Sequence, residues 1–330
     1  MNKNAPRVGA IGLGHWGQHI ARNLNALGAL AVMCDSDEAT RGRFAEAYPA
    51  AQVAGSFEQV LGRHDITAVM IATPASTHGA LVDQALDAGK HVFVEKPLCL
   101  DVAEAERLAV KAAAAGRVLM VGHLLLYHPA FQALLAVVRR GDLGRLRYIY
   151  STRASLGRIR RQENALWSFA PHDISMTLQL SGRLPERVVA NGGNYLSEEV
   201  ADTTLSHLEF GDGLQAHVFV SWLHPYKDHR LVVVGDGAMA VFNDVASGPD
   251  KLLLYRHKAH WDGDLPIVAK ADAVPIPYDD DEPLARECRA FLSAVQDGVP
   301  PPSDAAEGVR VLRVLDACQR SLNTGGPAKL

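Results

Sequence analysis

Between residues 7 and 121, short apolar runs alternate with stretches in which apolar positions recur at helical spacing. Residues 7–11, 30–34, 68–72, 91–94 and 117–121 read as strands, and 15–27, 80–88 and 102–115 as helices between them. Nearly continuous apolar strands separated by helices are the signature of βαβ units, because crossover helices cover both faces of a parallel sheet. A doubly wound sheet is therefore expected up to residue 122.

Beyond Gly122 the pattern lengthens into alternating strands joined by tight turns, the mark of antiparallel pairing. Gly211-Asp212-Gly213 joins 204–210 to 214–222, and Gly235-Asp236-Gly237 joins 231–234 to 238–242, so both read as hairpins. Residues 146–153 and 187–191 add two more strands. Two helices close the chain, with apolar stripes Leu284, Cys288, Phe291, Leu292, Val295 and Leu312, Leu315, Cys318, Leu322. The fold class expected is α/β: a Rossmann domain over residues 1–122, then an α+β domain over 123–330 with an open, mainly antiparallel sheet. A chain of 330 residues exceeds what one hydrophobic core usually supports, which agrees with two domains. The strand at 214–222 carries Ala216, Val218, Val220 and Trp222 on one side and Phe219 on the other. An open sheet with apolar groups on both faces needs cover, so a homodimer or homotetramer through this sheet is expected.

Charge narrows the partners. A net charge of -4 and a pI near 6.4 give no general attraction for nucleic acid or anionic lipid. The first residues lack an apolar signal core and no run of about 18 apolar residues occurs, so neither a membrane span nor export is expected and the cytoplasm is the expected compartment. Cys34, Cys99, Cys288 and Cys318 form no C-x-x-C pair and read as buried thiols. His257 and His260 stand without other ligand candidates nearby, and no metal is predicted.

Gly12-Leu13-Gly14-His15-Trp16-Gly17 directly follows an apolar strand and opens a helix, the setting that makes G-x-G-x-x-G a strong nucleotide motif. Gly12 permits the turn, Gly14 lets backbone amides approach a pyrophosphate, and Gly17 lets helix and strand pack closely. His15 and Trp16 lie in the same loop. Asp35, at the end of the second strand, suits the adenosine ribose hydroxyls and repels a 2′-phosphate. Asp35, Asp37 and Glu38 precede the first base, Arg41, so NAD is expected as cofactor, with Asp37 read as the cap of the next helix.

The next strands end in Ala72-Thr73-Pro74 and Glu95-Lys96-Pro97, at the carboxyl edge where open α/β sheets bind ligands. Lys96 is aimed at the nicotinamide region, with Glu95 orienting it or meeting the nicotinamide ribose. With Thr77-His78, these segments and the glycine loop resemble the Gfo/Idh/MocA oxidoreductase family over essentially the whole chain. The resemblance implies cofactor contacts at Thr73, His78, Glu95, Lys96 and Pro97, a peptide before Pro97 that is commonly cis, and a catalytic role for Lys96. It also implies an acid/base histidine near a helix start in the second domain. In Trp167-Ser168-Phe169-Ala170-Pro171-His172-Asp173-Ile174 that residue is His172, with Pro171 suited to a first helical turn. A helix N-terminus disfavours imidazolium and keeps a ring able to accept a proton near neutral pH. The chain departs from the family pattern at Ser168 and Ser175, where aspartates are common; Asp173 is expected to substitute in part or only to cap the helix.

Arg158, Arg160 and Arg161 lie in the loop before His172 and concentrate guanidinium groups that match phosphate oxygens. The alternative reading is a solvated basic loop or a subunit contact. Taken as a ligand site, the loop implies a nucleotide-sugar diphosphate, with Asn164 and Trp167 near the sugar; His123 and Tyr127, just past the domain junction, are candidates for pocket walls or for a structural role. The segment from Leu156 to Asp173, with Gly122-His123 and Tyr127-His128-Pro129, resembles the branch of the family that oxidises the ring 3-hydroxyl of UDP-N-acetylglucosamine ahead of a separate aminotransferase. Alternatives are another nucleotide sugar such as UDP-N-acetylglucosaminuronic acid, a free sugar or an inositol, and a non-catalytic NAD-binding sensor.

Overall fold

The computed structural model describes residues 6–157, 159–161 and 163–330. In chain order the first elements are β1 (Val8–Ile11), α1 (Gly17–Ala26), β2 (Leu30–Cys34), α2 (Glu38–Ala47), β3 (Gln52–Ala54), α3 (Phe57–Leu61), β4 (Ala68–Ile71), α4 (His78–Asp87), β5 (His91–Glu95), α5 (Val102–Ala114) and β6 (Leu119–Gly122). Then come α6 (Pro129–Arg139), β7 (Leu146–Ala154), α7 (Ala165–Ser181), β8 (Arg187–Gly193), β9 (Thr203–Glu209), β10 (Gln215–Ser221), β11 (Asp228–Gly235), β12 (Met239–Asn243) and β13 (Leu252–Tyr255). The chain finishes with β14 (Lys258–Asp262), β15 (Leu265–Ala269), β16 (Ala273–Pro275), α8 (Pro283–Asp297), α9 (Ala305–Thr324) and β17 (Ala328–Lys329).

The first six strands form a wholly parallel sheet in the order β3-β2-β1-β4-β5-β6. The order reverses between β1 and β4, and the loops leaving those two strands open the crevice in which such sheets bind ligands. Strands β1 and β4 are buried along their whole length, which is why they read as unbroken apolar runs. Elements α2, β3 and α3 escape a reading by periodicity. Only Thr40 is buried in α2, and two of the three residues of β3 are exposed.

The chain divides into two compact units, but not at residue 122. One unit runs to Tyr127 and takes back Asp281–Leu312; the other comprises His128–Asp280 and Arg313–Leu330. Helix α8 buries Leu284, Glu287, Cys288, Phe291 and Ala294, and Phe291 packs edge-on against Phe93 of β5 with ring centroids 5.9 Å apart. The edge of β6 is covered by the chain before α9, where Val121 N donates to Ser303 O at 2.9 Å. An apolar stripe shows that a helix is buried and leaves open which core it joins, and that open choice is the source of the difference.

The second unit is built on a nine-stranded sheet, β16-β13-β12-β11-β7-β10-β9-β8-β17, in which β7–β10 is the parallel pair and the remaining pairs are antiparallel. Ile149, Ser151 and Arg153 of β7 and Ala216, Val218 and Val220 of β10 are buried, and α7 packs on these two strands. Tyr148, Tyr150 and Leu205, which alternate with buried residues along their strands, are exposed. The four cysteines are buried and free. His257 Nδ1 accepts from Ala271 N at 3.0 Å and so closes a local turn. Among the described residues no helix is long and apolar enough to cross a membrane.

Candidate active site

The loop after β1 has the shape that a bound dinucleotide needs. Gly12 has φ +82°, and a Cβ there would stand 2.8 Å from the Ala72 carbonyl oxygen. Gly17 runs so close to the Gly12 carbonyl that any Cβ would collide with it. At Gly14 a Cβ would meet nothing within 4 Å, which leaves the loop open where a pyrophosphate would approach. Among the described residues no side chain caps the first turn of α1, where Gln18 N and His19 N donate to the carbonyls of Gly14 and Trp16 at 3.2 and 2.9 Å. Asp35 takes part in building this loop: Oδ2 accepts from Leu13 N at 2.7 Å and Oδ1 from Asp37 N at 2.9 Å. Asp37 caps α2 through Thr40 N at 2.8 Å, as expected. Arg41, the first base after the acids, donates to the carbonyls of Asp35 and Ser36, both at 2.9 Å, and so is tied to the turn after β2. The glycine loop and the Asp35 carboxylate fit NAD.

At the end of β5 the Lys96–Pro97 peptide is cis. Burial pushes the Glu95 carboxyl up to about 7, against the opposing pull of the Lys96 ammonium and the Trp16 indole. Glu287 of α8 is fully buried, neither of its carboxyl oxygens has a hydrogen-bond partner among the described residues, and burial with the Glu95 charge raises it well above an ordinary carboxyl. Burial without a partner favours its neutral form. Glu287 lies three residues after Leu284 and four before Phe291, so helical spacing alone puts it on the inner stripe; this was the signal that could have found it.

Of the two roles open to His123 and Tyr127, their contacts suit the structural one. His123 Nδ1 lies 2.6 Å from Glu307 Oε2, with both side chains 1% exposed, and Tyr127 Oη lies 2.8 Å from Ser303 Oγ. His78 is likewise buried: Nδ1 is 2.7 Å from Pro97 O and Nε2 is 2.9 Å from Thr73 O. Both ring nitrogens are engaged with the main chain, which corrects the expectation that His78 contacts the cofactor. The hydroxyls of Thr73 and Thr77 are 2.7 Å apart in the same turn.

In the second unit His172 does not stand at a helix start. Helix α7 begins at Ala165, capped by Asn164 Oδ1 accepting from Trp167 N at 3.1 Å, and Pro171 lies inside it. His172 is therefore two turns into the helix, and the argument from the helix dipole does not hold, since that field fades beyond the first turn. Pro171 misled because proline is commonest at a first turn. Asp173 neither caps the helix nor faces solvent. It is buried, Oδ2 accepts from Arg153 Nε at 2.8 Å, and Oδ1 accepts from Ser151 Oγ. The pair pins α7 to β7. Ser168 and Ser175 are also buried.

The polar ends of Asn164 and Trp167 converge on Gln319 of α9 instead of standing open to a sugar: Asn164 Nδ2 and Trp167 Nε1 donate to Gln319 Oε1 at 2.8 and 3.0 Å. In the preceding loop Arg160 is exposed and pairs with Glu163 at 2.9 Å, Arg161 is exposed, and Arg158 lies outside the described residues.

A Rossmann unit with an open glycine loop and a strand-end lysine, joined in one chain to an open-sheet unit, defines a dinucleotide-dependent oxidoreductase of two-domain type. The chain belongs to the Gfo/Idh/MocA family. The family's model for the oxidoreductase NAD-binding Rossmann fold matches residues 6–123, and that for its C-terminal domain matches residues 131–241. The chain is 30% identical over 307 residues to the UDP-N-acetylglucosamine 3-dehydrogenase of Acidithiobacillus ferrooxidans, covering 93% of this chain and 94% of that one. A solved structure of the dehydrogenase of that name from the same organism superposes with a TM-score of 0.85 at 27% identity, over 96% of this chain and 97% of the other. The scyllo-inositol 2-dehydrogenase (NAD(+)) of Bacillus subtilis is 28% identical over 244 residues, 69% of this chain and 71% of that protein. The protein is thus an NAD-dependent dehydrogenase acting on a CH–OH group.

Proposed function

We propose that the protein oxidises a ring hydroxyl of a nucleotide sugar, namely the 3-hydroxyl of UDP-N-acetylglucosamine, to the corresponding ketone. The observation that carries this reading is the similarity to the Acidithiobacillus enzyme of that activity, which spans nearly the full length of both chains. Bound NAD supplies the hydride acceptor. His172 takes the hydroxyl proton, and Lys96 donates a hydrogen bond to the oxygen as negative charge develops on it. Glu95 and the residues beneath it hold Lys96 in place. Arg160 and Arg161, with Arg158, supply cationic donors suited to a diphosphate, and release from Glu163 frees Arg160 for it.

A second reading, oxidation of a free polyol ring, draws support from the similarity to the inositol dehydrogenase. Absorbance of NADH, with NAD and a panel of UDP-N-acetylglucosamine, its glucuronic acid form, free N-acetylglucosamine and myo-inositol, separates the two. Turnover confined to UDP-linked sugars is expected; turnover of the free sugar or inositol overturns the substrate assignment and keeps the chemistry of Lys96 and His172. The proposal extends to assembly: the exposed face bearing Tyr148, Tyr150 and Leu205 pairs with that of a second copy. The 3-keto product is the form an aminotransferase would take next.

A further inference from the structure

His78 is the first residue of α4, is 1% exposed, and touches two different strand-end turns at once. Its Nδ1 is 2.7 Å from the carbonyl oxygen of Pro97, the residue after Lys96, and its Nε2 is 2.9 Å from the carbonyl oxygen of Thr73, two residues past β4. A carbonyl oxygen only accepts, so each contact calls for a ring N–H, and a neutral imidazole has just one. Burial lowers the ring's pKa and favours the neutral form, which donates to one of the two carbonyls and stays in contact with the other, so the ring spans the two turns in either tautomer. The charged group that acts on the ring is Lys96. Burial is the largest influence on the ring and lowers its pKa, the Lys96 charge adds to this, and the two carbonyls oppose both.

We propose that His78 is a positioning residue for Lys96, beside Glu95: it ties the β5 turn to the β4 turn and so helps to set where the ammonium stands when the hydroxyl reacts. The inference rests on the reading of Lys96 as the donor to that hydroxyl. A displacement of about 1 Å in a reacting array lowers rates by about 100-fold, so a brace one residue away acts on turnover more than on binding.

Three variants test this. His78→Leu fills the space without bridging, and at saturating NAD it is expected to lower kcat by about 10- to 100-fold. The dissociation constant for NADH, read by fluorescence, should move by less than about threefold, because the glycine loop and Asp35 are untouched. His78→Gln carries two N–H groups on one nitrogen and should recover much of the loss. A His78→Leu protein with wild-type kcat, or one whose loss lies wholly in NADH affinity, overturns the proposal. Lys96→Ala in the same assay separates the two failures. If it turns over normally, the role given to Lys96 falls, whatever the His78 variants do.

Discussion

Asp35 was expected to meet the ribose, and its carboxylate also holds the loop that would hold the pyrophosphate. Its two oxygens accept from Leu13 N and Asp37 N. Hydrogen bonds to charged groups contribute about 1.5–3 kcal/mol each, so Asp35→Ala is expected to weaken NADH binding at least about tenfold, and Asp35→Asn by less, as measured by fluorescence titration. Glu95 supplies a second test. Its folded carboxyl titrates near 7, above the unfolded value of about 4.3, so its contribution to stability is complete at low pH and is lost as pH rises through 7. Glu95→Gln, which cannot ionise, should flatten the fall in melting temperature between about pH 4.5 and 7; an unchanged slope would show that the carboxyl is not buried as described. For the chemistry itself, Lys96→Ala and His172→Ala should each lower kcat by about 100-fold or more with NADH affinity nearly unchanged. At this scale the glycine loop, Asp35 and Lys96 were legible because each sits at a set distance along one continuous stretch of chain. Glu307 beneath His123 was not, because 184 residues separate the pair and no local spacing joins them.

Among elements, α7 decides where His172 stands. Asn164 starts the helix, and the buried Arg153–Asp173 pair sets its rotation on β7. Asn164→Ala removes a side-chain cap and should cost about 1 kcal/mol in urea unfolding. Arg153→Ala is the harsher change, since it leaves Asp173 buried without its cation; a loss of about 3–5 kcal/mol is expected. A loss under about 1 kcal/mol would mean that the pair does not set the helix. The helix was legible as a helix, but its start was misplaced by two turns. The stretch Ala165–Ala170 shows no clean polar face because Ala165, Leu166, Ser168 and Ala170 are all buried, so periodicity carries little information there. The hairpins of the second sheet were easier, for each has a glycine-flanked turn between runs of alternating residues.

For the molecule as a whole, the exposed sheet face sets a test of assembly. Tyr150→Asp places a charge among Tyr148 and Leu205 and is expected to reduce the mass seen by light scattering to that of one chain; a wild-type protein that is already monomeric at micromolar concentration removes the proposed pairing. The division into units was the least legible feature, since the nucleotide-binding unit is discontinuous in sequence. That discontinuity reaches into how the protein is made. Translation delivers the glycine loop, Asp35 and Lys96 early, yet Phe291, Ser303 and Glu307, which pack on or bond to Phe93, Tyr127 and His123, leave the ribosome near the end. The nascent Rossmann unit therefore waits, unfinished, while the whole second sheet is synthesised. A stop codon near residue 280 would disable the enzyme at its nucleotide end, although every residue of the glycine loop had already been made.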